Sequence, residues 1–149
     1  MRNKFFVLGA LLLVAIISTQ CSKSKADKEM DLLQEYLIEN DITTEPTSSG
    51  IYYIETLKGS GPEASGGDQC EVKYKGMFLD GEEFDSGVFT FQLGYGQVIR
   101  GWDEGINYMR EGGKAILIIP STMAYGVSGS RSIPGYTTLI FEVEILSIL

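Results

Sequence analysis

Between residues 51 and 148 one stretch limits what the others can do: Gln97-Val98-Ile99-Arg100-Gly101-Trp102-Asp103-Glu104-Gly105. An apolar strand end turns there directly into a short helix. Trp102, Ile106 and Met109 recur on it at i, i+4 and i+7 and share one face. Asp103 and Glu104 fall in the first turn, where carboxylates meet the positive end of the helix dipole. Gly112-Gly113 supplies the stop. The segments around this helix alternate with period two. A lone helix with one apolar face then has to bury it against an antiparallel sheet curled over it.

The strands can be counted. Residues 51–57 form the first, ended by Lys58-Gly59-Ser60-Gly61-Pro62. Cys70, Val72 and Tyr74 alternate with Glu71, Lys73 and Lys75 in a half-buried strand, and Asp80-Gly81 is a turn of the hairpin kind. Glu83-Phe84-Asp85 and Phe89-Thr90-Phe91-Gln92-Leu93 follow as two pieces. After the helix, residues 114–119 run to Pro120, and a loop rich in Gly and Ser spans 125–135. Residues 138–148 close the chain with Leu139, Phe141, Val143 and Ile145 on one face. The expected fold class is α+β: a strongly bent antiparallel β-sheet of about five strands wrapped around one short α-helix, with an N-terminal helical extension.

That extension has its own organisation. Residues 1–20 read as a signal peptide, with Arg2 and Lys4 before an apolar core at 5–17 that is too short for a comfortable membrane span. Ser18-Thr19-Gln20-Cys21 resembles a bacterial lipoprotein cleavage box, although Ser18 and Gln20 stand where Leu and a small residue are usual. Cys21 is the expected lipidation site. The chain is accordingly expected to be exported and lipid-anchored in the cell envelope, at the outer membrane facing the periplasm. Residues 21–49 form a tether, a short amphipathic helix at 27–40 and a linker, and the main domain covers 50–149. Met30, Leu33 and Leu37 make that helix's apolar stripe. The stripe rests on its own domain, giving a monomer, or on a second copy, giving a dimer. Ser22-Lys23-Ser24-Lys25 fits a Ser-x-x-Lys pattern, but in a tether it has no fold around it. No disulfide is expected between Cys21 and Cys70, and Cys70 reads as a small buried apolar residue.

Composition removes several function classes. A net charge of -8 argues against nucleic acid, whose affinity comes largely from basic side chains on phosphates. The absence of histidine removes His-based triads and most zinc sites. Neither a phosphate loop nor metal-ligand spacing is present, so no cofactor or metal is expected. On composition alone Asp85 is a turn residue, Tyr74 and Tyr125 are core aromatics with a hydroxyl at the rim, and Gln97, Asp103 and Glu104 belong to the helix start. Yet Tyr74, Phe84, Phe89, Phe91, Trp102, Tyr125 and Phe141 exceed what one short helix needs to cover it. The alternative to a solid core is a dry pocket edged by a few polar groups. Backbone N–H groups near Val98 and Ile99 lie where a helix start leaves donors unpaired. An indole floor beside such a donor suits an apolar group carrying a carbonyl.

Six segments, in order, carry a resemblance to a known family. They are Tyr74-Lys75-Gly76-Met77, Asp80-Gly81-Glu82-Glu83-Phe84-Asp85-Ser86, Phe91-Gln92-Leu93-Gly94, Val98-Ile99-Arg100-Gly101-Trp102-Asp103-Glu104-Gly105, Ala124-Tyr125-Gly126 and Leu139-Ile140-Phe141-Glu142-Val143-Glu144-Ile145-Leu146. Together they resemble the FKBP-type peptidyl-prolyl isomerases. The resemblance implies catalysis by Asp85, Tyr125, Ile99 and Trp102, with Trp102 as floor and the Ile99 amide receiving a substrate carbonyl. It implies substrate-binding walls of Tyr74, Phe84, Phe89, Val98, Ile133 and Phe141. Proline-containing polypeptides are the implied substrates and macrolides the implied inhibitors, with no cofactor. The alternatives are a non-catalytic chaperone or protein-binding module of the same fold, and a purely structural envelope lipoprotein. Three departures stand out. The 85–89 segment is short and lacks an arginine often paired near the Asp, Gln97 replaces a Glu of which only the backbone is expected to matter, and the 127–132 loop lacks the usual His.

Overall fold

Alternation along the last strand sets the middle of the sheet. In the computed structural model, which describes residues 24–149, the elements are α1 (Lys25–Glu39), β1 (Tyr52–Leu57), β2 (Gln69–Phe78), β3 (Glu83–Gln92), α2 (Arg100–Ile106), β4 (Lys114–Ile119), a 3-10 turn (Ser121–Met123) and β5 (Leu139–Ile148). The expected signal segment and Cys21 lie outside the described residues. The five strands form one sheet in the order β1-β4-β5-β2-β3, and every pair is antiparallel. The sheet is open, with β1 and β3 at its edges. Ile51, just before β1, and Phe91 of β3 share a core cluster with Trp102 and Ile106, so the sheet curves around α2.

Leu139, Phe141, Val143 and Ile145 are all buried in that cluster, as their spacing requires. Ala115, Leu117 and Ile119 of β4 face the same way. Ile118 of β4, Ile140 of β5 and Tyr52 of β1 point to the opposite face, where Leu33 and Leu37 of α1 cover them. At this end both faces of the sheet are covered, which explains the unbroken apolar run in β4. Further along, the outer face carries the partly exposed ion pairs Lys75–Glu142 (3.4 Å) and Lys114–Glu144 (3.3 Å).

Helix α2 lies very close to β4. A methyl group at Gly101 would stand 2.5 Å from Ile119 Cγ2, and one at Gly105 2.7 Å from Leu117 Cδ1. Both positions therefore need glycine for contact distance, one turn apart on the face that meets the sheet. The helix ends at Ile106, earlier than the apolar spacing and Gly112-Gly113 implied. Met109 is buried all the same, from the turn that follows.

Helix α1 begins at Lys25, two residues before the apolar pattern. Ser24 is its N-cap: Ser24 Oγ accepts the Asp27 N–H at 3.1 Å, and Asp27 Oδ2 accepts the Ser24 N–H at 3.1 Å. The expected stripe needs a correction. Leu33 and Leu37 are buried, but Met30 is 49% exposed, and Glu29 takes the inward place at that turn. The observed inward set is thus Glu29, Leu33 and Leu37, spaced by four. The stripe rests on its own sheet. Among the described residues no helix is long and apolar enough to cross a membrane. Cys70 is a free, fully buried thiol, and burial followed by the Asp68 charge pushes its pKa up.

Candidate active site

Strand β3 is a single element rather than two pieces, and this decides where Asp85 goes. Asp85 lies within it, opposite Gly76 of β2. It is not the turn residue that composition alone implied. Tyr74 stands opposite Gly87, and with no side chain there its ring can lean along the pair, so that its hydroxyl donates to Asp85 Oδ2 at 2.8 Å. Burial first, then the hydrogen bond to Asp85 and its charge, push the Tyr74 pKa up to about 12. The phenol is therefore a proton donor throughout the neutral range.

Trp102 sits at the centre of the aromatic set. Its ring meets Tyr74 at 5.2 Å and Phe141 at 5.3 Å, both edge-on, and Phe91 at 5.9 Å. Phe84 in turn lies edge-on to Phe141 at 5.7 Å. Trp102 is only 5% exposed, and among the described residues its Nε1 has no hydrogen-bond partner. It is nonetheless not sealed. An open cleft of about 370 Å³ lies over it, walled by Tyr74, Phe84, Phe89, Val98 and Phe141, with Asp85, Tyr125, Gln97 and Arg131 also lining it. A larger depression of about 450 Å³ lies on the sheet's outer face, but the ion-paired Lys75, Glu142, Lys114 and Glu144 line it.

The approach to α2 supplies the backbone donor. Asp103 does more than face the helix dipole: its carboxylate accepts the Gly94 N–H at 2.8 Å and the Gly96 N–H at 3.1 Å, bracing the preceding turn. The Gln97 side chain also matters, because its Oε1 accepts the Gln92 N–H at 3.0 Å and ties the turn to the end of β3. The expectation that only its backbone counts is therefore corrected. Ile99 is the N-cap of α2, without a side-chain cap, where a polar cap is worth about 1 kcal/mol. Its carbonyl receives the Trp102 and Asp103 N–H groups, whereas its own N–H has no acceptor among the described residues and Ile99 lines the cleft.

Tyr125 follows the 3-10 turn and is 38% exposed at the mouth, and its hydroxyl has no partner among the described residues. Burial and the Asp85 charge raise its pKa, while Arg131 pulls it down. Nine of the ten residues expected here thus line one cleft. Ile133, expected as a wall, is buried in the main core cluster and does not line it. Arg131 was missed. Its one signal in the sequence is that it is the sole Lys or Arg after Lys114.

Comparison with known proteins decides the family. The model of the FKBP-type peptidyl-prolyl cis-trans isomerases matches residues 61–146. The chain belongs to this family. An FK506-binding protein of Neisseria meningitidis serogroup C is 49% identical over 106 residues, covering 66% of this chain and 97% of the relative. FK506-binding protein 4 of Dictyostelium discoideum is 48% identical over 103 residues, again 66% of this chain but only 28% of that relative's length. The crystal structure of FkpA from Escherichia coli superposes with a TM-score of 0.74 and 34% identity, covering 83% of this chain and 60% of the other. In FKBP terms, then, the aromatic cleft under Tyr125 belongs to a domain of an isomerase family, with a helix packed on the back of its sheet.

Proposed function

We propose that this chain isomerises X–Pro bonds of exported polypeptides in the cell envelope, and that the cleft over Trp102 is where it does so. The observation that carries this reading is the cleft itself: an indole floor, aromatic walls and the Ile99 N–H without an acceptor among the described residues, all opening on one space. Rotation about an X–Pro bond is slow because its C–N bond is partly double, and uncatalysed exchange takes about 10–100 s at room temperature. No bond has to be made or broken. As the amide twists it loses conjugation, so an apolar setting that fits the twisted form better than either planar isomer lowers the barrier.

In this reading Trp102, Tyr74, Phe84, Phe89, Val98 and Phe141 hold the proline ring. The Ile99 N–H and the Tyr125 hydroxyl hold substrate carbonyls while the remainder of the bond turns. Asp85 orients Tyr74 at the mouth. Family membership and the apolar lining support a macrolide as a competing ligand. The N-terminal segment supports export, signal cleavage before Cys21 and a lipid anchor on that cysteine. Several acyl chains on one residue would hold the protein firmly where a single chain would not.

Two measurements test this. Exchange of a prolyl tetrapeptide should accelerate with the full chain, and a macrolide of the FKBP ligand class should stop it while quenching or shifting Trp102 fluorescence. A chain that neither accelerates exchange nor responds to the macrolide overturns the reading. Separately, Cys21→Ser should move the protein from the membrane fraction to the soluble one; unchanged fractionation overturns the anchor.

A further inference from the structure

We propose that Glu29, on the N-terminal helix, is a positioning residue for this cleft, because it clamps both ends of the loop that carries Tyr125 and Arg131. The inference rests on the isomerase reading above. Its starting point is a carboxylate that has no obvious reason to be inside. Glu29 is 7% exposed, and no cation pairs with it among the described residues. A buried charge of this kind is costly unless other groups satisfy it. Three donors do so. Glu29 Oε1 accepts the Ser121 N–H at 2.7 Å and the Thr138 hydroxyl at 2.9 Å, and Oε2 accepts the Ser121 hydroxyl at 2.6 Å. Both partners are themselves buried.

Ser121 and Thr138 are the two feet of one loop. Ser121 opens the 3-10 turn after β4, and Thr138 directly precedes β5. From Ser121 the restraint reaches the cleft in one step. The Ser121 carbonyl accepts the Ala124 N–H at 2.9 Å and the Gly126 N–H at 2.8 Å, the two residues that flank Tyr125.

The loop between the feet is stiff. Gly126 O accepts the Tyr136 N–H at 3.0 Å, and Ser130 and Ile133 exchange backbone hydrogen bonds at 2.9 and 2.8 Å. Its halves are in backbone contact, since a methyl group at Gly135 would stand 2.0 Å from Val127 O and one at Gly129 2.2 Å from Ile133 O. A loop that cannot bend inside moves as a unit about its feet. Fixing the feet fixes Tyr125. Leu33 and Leu37 hold the helix on the sheet, and the carboxylate one turn before Leu33 links that docking to the cleft on the far side.

The test uses the full chain with Glu29→Ala, Glu29→Gln and, as a control of equal charge change on the exposed face of the same helix, Glu35→Ala. Amide exchange at Ala124 and Gly126 and the separate kcat and KM for a prolyl peptide are measured on each. Glu29→Ala should speed exchange at both amides by about tenfold or more, which is how local opening is read. It should also lower kcat/KM several-fold. Glu29→Gln keeps an acceptor for the Ser121 and Thr138 donors and should recover most of both, and Glu35→Ala should change neither. In a Ser121→Ala/Thr138→Val background, which leaves only the Ser121 N–H bond to Glu29, Glu29→Ala should add clearly less than it does in the wild type. Unchanged exchange and kinetics in Glu29→Ala, a Gln variant as impaired as the Ala one, or fully additive effects would overturn the clamp. Should Glu29→Ala fail to fold, Ser121→Ala/Thr138→Val gives the same decision from the other side. Should the wild type show no isomerase activity, the functional reading has failed, while amide exchange still decides whether the clamp exists.

Discussion

The Tyr74 hydroxyl donates to Asp85 Oδ2 at 2.8 Å across two neighbouring strands, which joins a wall of the cleft to its mouth. An unfolded tyrosine ionises near 10, and the folded Tyr74 at about 12. Between those values the native state keeps a proton that the unfolded state has lost, so raising the pH through this window favours unfolding. The contribution is complete below pH 10. Urea midpoints at pH 9 and pH 11 should therefore fall more in the wild type than in Tyr74→Phe. Some fall remains in the variant because Tyr53 is also held up to about 12. Equal falls in the two proteins would contradict the hydrogen bond.

Gly105 sets two physical effects against each other. Helix propensity alone says that Gly105→Ala should gain about 1 kcal/mol. The new methyl group would meet Leu117 Cδ1 and Cδ2 at 2.7 Å, and overpacking of this kind costs about 1–3 kcal/mol. The contact should win, leaving the variant less stable in urea denaturation and the entrance to the cleft displaced with α2. A more stable variant would mean that α2 stands further from β4 than described.

The two apolar readings of helix α1 are separable by stability. Leu33 is 1% exposed, so Leu33→Ala should cost about 2–5 kcal/mol. Met30→Ala, at an exposed position, should stay within about 0.5 kcal/mol. Chemical denaturation of both variants decides it, and a larger loss at Met30 would restore the stripe read from the sequence.

What was legible in the sequence follows from what one-dimensional patterns encode. Leu139, Phe141, Val143 and Ile145 announce a face because the sheet period is two, and β4 keeps its bounds at 114–119 because Pro120 cannot continue the ladder. Strand β3 read as two pieces because it is an edge strand with Ser86-Gly87-Val88 exposed in the middle, and a strand without a buried face leaves no alternation. On composition alone Asp85 reads as a turn residue for the same reason, whereas the family resemblance puts it at the mouth of the cleft that it lines. The inward Glu29 was invisible because its donors lie 92 and 109 residues away, and a carboxylate on a helix reads as solvated until they are seen. Likewise the roles of Gln97 and Asp103 depend on N–H groups from neighbouring turns, which no spacing rule reports.

The most direct test of the account is the rate of cis–trans exchange of a prolyl peptide, followed by NMR so that no coupling protease can attack the enzyme. The full-length wild type, Asp85→Ala and Trp102→Ala would be compared, with melting curves to establish that each is folded and Trp102→Leu as a milder substitute. The wild type should outpace uncatalysed exchange by orders of magnitude. Trp102→Ala should lose at least about tenfold, equivalent to 1.4 kcal/mol of transition-state preference, and more than Asp85→Ala loses. Exchange at the uncatalysed 10–100 s in the presence of wild type, or wild-type rates in a folded Trp102 variant, would contradict the claim that this cleft turns the bond.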